Sequence, residues 1–322
     1  MVTSNTVRRP LLLAAFEGWS DAACAASDAA KYLLDRYDSC IIGRIDSDEF
    51  FDFQASRPLL CTAGGRKRIF WPETAFYSVD FSSPRNTGDS EPAAMRPQCS
   101  LDHRLSRNGG AVIVALGPEP DRRWRAYCGT FLRMAGDWHV GSLVCLASLF
   151  SHCPHTRNLP LAVESGRPEA DDSSHAGPVG MATILTLAAQ QAGIDSSAFW
   201  ISVPTYLGDS ECPRASCDLL RRVAEDFGFS FDLNQLEAQA ARWQSDAQTL
   251  LRSNESLADY VRKLEQRYDS EDCPHIDPRQ AKRLVEETEK YLRLFEKKRR
   301  FSEKLSDKGT ASDGPDAGDI GG

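Results

Sequence analysis

Glu17, Asp21, Asp48, Glu49 and Asp52 fall in two short stretches near the start of the chain, each directly after an apolar run. Paired carboxylates of this kind can exchange a proton in general acid–base work or offer oxygen ligands to a divalent cation. The same residues also suit a solvated acidic rim paired with Arg57 or Arg123, and spacing alone does not separate the two. Farther on, Pro154-His155-Thr156-Arg157 sets an imidazole, a hydroxyl and a guanidinium close together, a composition able to hold a phosphate or a carboxylate. Its plainer reading is a proline-stiffened loop in which His155 and Arg157 satisfy backbone carbonyls. Glu119, between Pro118 and Pro120, is expected to stand exposed where a strand leaves its sheet.

Other chemistry has less support. There is no G-x-S-x-G elbow, no G-x-x-x-x-G-K phosphate loop, and no G-x-G-x-x-G after the first strand, so hydrolase, NTPase and dinucleotide readings lose their usual signatures. The 10 cysteines form no C-x-x-C pair and several sit in apolar runs, which points to reduced core thiols rather than a zinc or thioredoxin-type site. His152, Cys153 and His155 lack a second ligand cluster, so no metal and no cofactor are expected. A formal charge of −8 argues against bulk polyanion binding. Arg8-Arg9-Pro10 followed by Leu11 to Phe16 is too short for a secretory signal, and no later run has the apolar length of a membrane span. The expected location is cytoplasmic, with no membrane and no nucleic-acid partner.

The elements that would position these residues follow from periodicity. Leu11 to Phe16 reads as a strand and Ala22 to Leu34 as a helix, with Ser20 or Asp21 as its cap; the turn between them carries Glu17, Gly18 and Trp19. Ser39 to Ile45 is a second strand, leading into a loop in which acids and phenylalanines share the stretch Asp46 to Phe53. Leu59 to Thr62 and Arg68 to Trp71 flank Gly64-Gly65 as a hairpin. Ala75 to Phe81, Ala111 to Leu116, Val140 to Phe150, Leu161 to Val163 and Ala198 to Val203 complete the strands. Asp121 is expected to cap a helix whose stripe includes Trp124, Tyr127 and Phe131; Pro178 to begin another; Pro213 to open a last core helix ending before Gly228.

Strand and helix alternate in this way through about residue 230, which implies a three-layer α/β/α core with a mostly parallel sheet over residues 11–230. In such a sheet the strand-to-helix turns meet at the carboxyl edge, where ligands bind. Residues 1–10 read as a flexible start and 82–110 as an inserted mobile loop. Residues 231–302 form a helical extension, with Leu233 to Leu251 and Ser256 to Tyr268 as an antiparallel pair and a further helix from Asp277. Residues 303–322 read as a disordered tail.

Five motifs together resemble the PAC2 family, the proteasome assembly chaperone 2 superfamily, in its actinobacterial form. They are Phe16-Glu17-Gly18-Trp19-Ser20-Asp21-Ala22; Asp48 to Gln54 with Arg57-Pro58; Gly117 to Asp121 with Arg123-Trp124-Arg125; Pro154 to Arg157; and Gly177-Pro178-Val179-Gly180. The resemblance implies an α/β/α core similar to that of nucleoside phosphorylases, oligomeric relatives and a chaperone-like role in the eukaryotic and archaeal branches. In Val203-Pro204-Thr205-Tyr206 the chain departs from it, with Thr205 where a histidine is expected.

The expected function is therefore that of a non-catalytic assembly-chaperone-like or scaffold factor, a homo-oligomer with a protein partner. The competing expectation is an enzyme or small-ligand binder with a pocket at the carboxyl edge. Candidate residues for that pocket are Glu17, Trp19, Asp21, Asp48, Glu49, Asp52, Glu119, His155 and Arg157; no catalytic residue is assigned.

Overall fold

Leu11–Glu17 (β1) alternates between two cores: Leu11, Leu13 and Ala15 pack on one face of the sheet, and Leu12, Ala14 and Phe16 on the other. A strand buried on both sides belongs at the centre of a layered α/β sheet, and β1 lies there, parallel to Val112–Pro118 (β6) on one side and Ser142–Ser151 (β7) on the other. The structure, a computed structural model, describes residues 9–45, 47–63, 66–85, 93, 96–99, 112–165, 178–208 and 210–270. All of these belong to one compact unit, residues 1–275. Most of the expected 1–10 start and 82–110 loop, the helix from Asp277 and the tail lie outside the described residues.

The other strands of the main sheet are Tyr37–Ile45 (β2), Thr74–Pro84 (β5), Leu161–Ser165 (β8) and Asp195–Pro204 (β9). The 7 strands run in the order β2-β5-β6-β1-β7-β9-β8. β6, β1, β7 and β9 are mutually parallel, whereas β5 is antiparallel to both β2 and β6 and β8 is antiparallel to β9. The sheet is thus mostly parallel, as the alternation of elements predicts. Leu59–Ala63 (β3) and Arg66–Phe70 (β4) form a separate 2-stranded sheet.

Ala25–Arg36 (α1) and Pro213–Phe227 (α5) cover one face; Trp124–Asp137 (α3) and Met181–Gln191 (α4) cover the other. A single turn, Ser47–Phe50 (α2), follows β2. Asn234–Ser253 (α6) and Glu255–Asp269 (α7) are joined through Asn254, whose side chain accepts the Leu257 N–H at 3.1 Å. α6 packs more extensively along α5 than on α7, so the expected helix pair is chiefly a cover on the core.

Three expectations about termini are corrected. α1 begins at Ala25, not Ala22, because Ala23 and Cys24 take left-handed φ values of 52° and 55° in a short 3₁₀ turn. Pro178 precedes α4 rather than entering it; Gly180 is the N-cap. Asp121 caps no helix: its Oδ2 accepts the Asp52 N–H at 2.7 Å and the Ser56 hydroxyl at 3.0 Å, while α3 starts after Arg123 with φ 55° and no side-chain cap.

The uniformly reduced thiols expected from the sequence also need correction. Cys40 and Cys99 form a disulfide, tying the segment at Pro97–Cys99 beside edge strand β2. Cys128, Cys145, Cys153, Cys212 and Cys217 lie buried outside any disulfide, as small core residues.

Candidate functional site

The turn after β1 is built around Gly18, whose φ of 135° lies where only glycine is at ease. It lets Asp21 fold back over the start of α1. The Asp21 Oδ1 accepts the Ala26 and Ser27 N–H groups at 2.9 and 3.0 Å, so the sequence-derived capping role holds, displaced across the 3₁₀ turn. Burial raises the Asp21 carboxyl above its ordinary range, with those N–H groups opposing. Asp21 also bridges to Ser148 of β7, whose hydroxyl donates to the Ala22 carbonyl at 2.9 Å.

Glu119 is half-buried rather than exposed, which corrects the expectation from its prolines. Its N–H donates to the Glu17 carbonyl at 2.9 Å, and its Oε1 accepts the Met181 N–H at 2.5 Å. The carboxylate thus caps α4 from another strand end, complementing the positive end of the helix dipole. Gly180 passes so close to Ser20 and the Trp19 ring that no side chain would fit there. Trp19 itself is 48% exposed beside the exposed Val179. Glu17 pairs with Lys31 at 2.9 Å.

A second neighbourhood surrounds α2. Asp48 and Glu49 are exposed, and Glu49 pairs with Arg123 at 3.2 Å, as the acidic-rim reading anticipates. Asp52 Oδ1 accepts the Gln54 N–H at 2.9 Å, closing a local turn.

The third lies after β7. His155 is fully buried, and its Nδ1 and backbone N–H both meet the Tyr206 hydroxyl, at 2.6 and 2.8 Å. The hydroxyl accepts the backbone N–H, and which of it and Nδ1 donates in their own hydrogen bond is set by the imidazole tautomer. Among the described residues Nε2 completes no hydrogen bond, although the Gln248 amide acts on the ring. Burial lowers the imidazole pKa, so the ring is kept neutral. Arg157 forks onto Asp269 at 2.7 and 2.9 Å, and Thr156 donates to Glu265 at 2.5 Å. The loop is a docking seat for α7.

The predicted set therefore divides among three neighbourhoods. Only Glu17 of that set lines a cleft of about 780 Å³ between the β3–β4 hairpin, α1 and the sheet. Its polar wall of Lys31, Arg44, Arg57 and Glu73 was not foreseen; the Arg44–Glu73 ion pair joins the end of β2 to the approach to β5 and leaves no local pattern. Tyr206 was missed as the partner of His155, its only signal being its place just after the last core strand. Among the described residues no group of His, Cys, Asp and Glu is arranged to hold a metal ion. No helix among them is long and apolar enough to cross a membrane.

The PAC2 family model matches residues 15–251, from the end of β1 through most of α6. The chain belongs to the PAC2 family. A PAC2 family protein from Streptomyces avermitilis is 28% identical with a TM-score of 0.65, the match covering 78% of this chain and 99% of that one. A proteasome-assembly chaperone homologue from Mycobacterium tuberculosis is 29% identical with a TM-score of 0.63, again over 78% and 99%. The archaeal proteasome activator PbaB of Pyrococcus furiosus shares the fold at 12% identity and a TM-score of 0.53, over 76% of this chain and 94% of that one. No curated protein matches the chain. The Gly18, Glu119 and Gly180 contacts thus place three of the five PAC2-like motifs against one another.

Proposed function

We propose that this PAC2 family member is a cytoplasmic assembly-chaperone-like or scaffold factor that works through protein-binding surfaces rather than by turnover. The observation that carries this reading is the use of its best chemical groups inside the fold. Asp21 and Glu119 cap helices, Arg157 seats α7, and His155 is buried and neutral. Burial pushes the Cys128, Cys212 and Cys217 thiols up to about 11 and Cys145 to about 12, away from thiolate nucleophiles. Among the groups the strand ends leave exposed are two apolar ones, Trp19 and Val179. Similarity to a proteasome-assembly chaperone homologue supports the same direction. In this reading residues 11–230 are the working core and α6 and α7 an appended cover.

Affinity capture with the whole chain tests it: a retained protein partner lost on Trp19→Ala supports the role. Robust turnover of nucleosides, phosphate esters or peptides, abolished by Asp21→Ala or His155→Ala, would sink it. One observation favours the competing ligand-binding reading, the cleft whose cations Lys31, Arg44 and Arg57 face the apolar Leu59, Ile69 and Trp71. Saturable binding of a phosphate ester lost on Arg57→Ala would carry that alternative.

A further inference from the structure

Adjacent parallel strands whose following helices leave on opposite faces of a sheet open a crevice beyond their carboxyl ends, the usual place for a ligand in such folds. β1 and β6 are such a pair. They run in register from Leu11 opposite Val112 to Glu17 opposite Pro118, and β1 leads to α1 on one face while β6 leads to α3 on the other. Both strand ends line the cleft of about 780 Å³, through Glu17 and Pro118. That volume is in the range of small-molecule sites.

The charges of the cleft leave one cation over. Each of its three carboxylates is paired within the chain: Glu17 with Lys31 at 2.9 Å, Asp35 with Arg96 at 3.8 Å, and Glu73 with Arg44. Arg57 also lines the cleft and is exposed, and among the described residues its guanidinium has neither an ion pair nor a hydrogen bond. A phosphate monoester is close to doubly charged, whereas a carboxylate carries one charge and two oxygens that match the guanidinium fork. The apolar side chains of the same cleft, Leu59, Ile69 and Trp71, are 66%, 58% and 49% exposed. A contiguous exposed apolar group marks a binding surface. Beside a lone cation, it suits an anion with an apolar body.

Tyr77 of β5 adds a second, independent feature. It lines the cleft and is only 3% exposed. Its hydroxyl makes no hydrogen bond among the described residues, yet it is not one of the sealed polar atoms without a partner, so it opens toward the cleft. A buried hydroxyl with no partner in the fold is a group waiting for one.

We propose that the cleft binds an apolar monocarboxylate bearing a second oxygen, of the hydroxyaryl acid class. Arg57 takes the carboxylate, Leu59, Ile69 and Trp71 cover the apolar body, and the Tyr77 hydroxyl bonds the second oxygen. This inference rests on the ligand-binding reading of the cleft, which it narrows from phosphate esters to carboxylates, and it is independent of the assembly reading.

Calorimetry on the full chain tests it, with the isomeric hydroxy-2-naphthoates as probes and 2-naphthoate, 2-naphthol and 2-naphthyl phosphate as comparisons. The expected result is saturable binding of one hydroxynaphthoate per chain, tighter than that of 2-naphthoate. Arg57→Ala should weaken it about tenfold or more, and Tyr77→Phe should reduce it to the 2-naphthoate level while leaving 2-naphthoate itself unaffected. Both variants should melt as the wild type does, since neither group is bonded within the fold. Naphthol binding as tightly as naphthoate, or no isomer that responds to Tyr77→Phe, overturns the proposal. Tighter binding of the naphthyl phosphate, lost in Arg57→Ala, overturns the carboxylate assignment but keeps the phosphate-ester reading. Binding of none of the probes overturns both.

Discussion

Glu119 at the end of β6 accepts the backbone N–H of Met181, the first residue of α4, at 2.5 Å. A cap supplied from another strand end fixes where the helix begins, and it explains why Pro178 stays outside. Glu119→Ala leaves an orphan donor and is expected to cost about 1 kcal/mol in chemical denaturation, with Glu119→Gln losing less. Burial raises the Glu119 carboxyl from its usual 4.5, against the opposing pull of the Met181 and Trp19 N–H groups. Between the unfolded and the raised folded value, the native state holds a proton that the unfolded chain has released. Stability therefore falls as pH rises through that window, and Glu119→Gln, which cannot ionise, should flatten the slope.

Asp21 holds two N–H groups of α1, and its substitution separates structure from binding. Asp21→Ala is expected to destabilise by about 1–2 kcal/mol, with Asp21→Asn keeping most of the cap. Its raised carboxyl has the same sign as that of Glu119: it weakens folding as pH climbs above the ordinary aspartate range. If the assembly reading holds, Asp21→Asn leaves partner capture intact while Trp19→Ala abolishes it.

His155 and Tyr206 behave as one unit. Tyr206→Phe removes the acceptor of the His155 N–H, and thermal unfolding should show a loss of about 1–3 kcal/mol. Burial holds the imidazole pKa below its ordinary 6.5, so the unfolded chain takes up a proton that the native state refuses. Stability present above 6.5 is thus lost as pH falls from there through the lowered folded value. Melts from neutral to mildly acid pH should show this loss in the wild type and a reduced one in His155→Phe.

The layered fold was legible because β1, β6, β7 and β9 are short apolar runs spaced by helical stripes, and burial on both faces leaves that signature. Pro213 and Gly228 even marked the ends of α5. The site was less legible, since capping partners such as Glu119 and Met181 are far apart in sequence and nothing local announces them. Asp121 looked like a helix cap because aspartate before a helix usually is one. The left-handed Arg123 instead starts α3 without it. His155 reads in the sequence as an anion ligand or as part of a proline-stiffened loop, whereas Tyr206 and Trp243 of α6, both distant in sequence, pack against its ring.

For α7, packing should outweigh the ion pairs. Leu264 is buried in the helix facing the core, and Leu264→Ala should cost about 2–4 kcal/mol. Asp269 is an exposed partner of Arg157, and Asp269→Ala should barely move the melt, still less at high salt. Limited proteolysis near Asn254 would report release of α7 in the first variant only.

Cys40 lies on edge strand β2, where the Ile41 N–H donates to the Pro97 carbonyl at 3.1 Å and the Cys99 N–H to the Ile41 carbonyl at 2.8 Å. Arg96, buried beside this contact, bonds the Ser39 hydroxyl and adds a second anchor. The segment thus gives β2 a partner on its outer side, one remedy for an open sheet edge. The disulfide closes a loop with a sequence separation of 59, which constrains the unfolded chain strongly. Relative to the disulfide-bonded wild type, Cys99→Ser, or reduction with a dithiol, is expected to lower stability by about 2–4 kcal/mol. Hydrogen exchange at Ile41 should rise with it, while exchange in β1 stays slow because that strand is paired on both sides. Equal stability of the wild type with and without the dithiol would show that Arg96 and the two backbone bonds suffice to hold the edge.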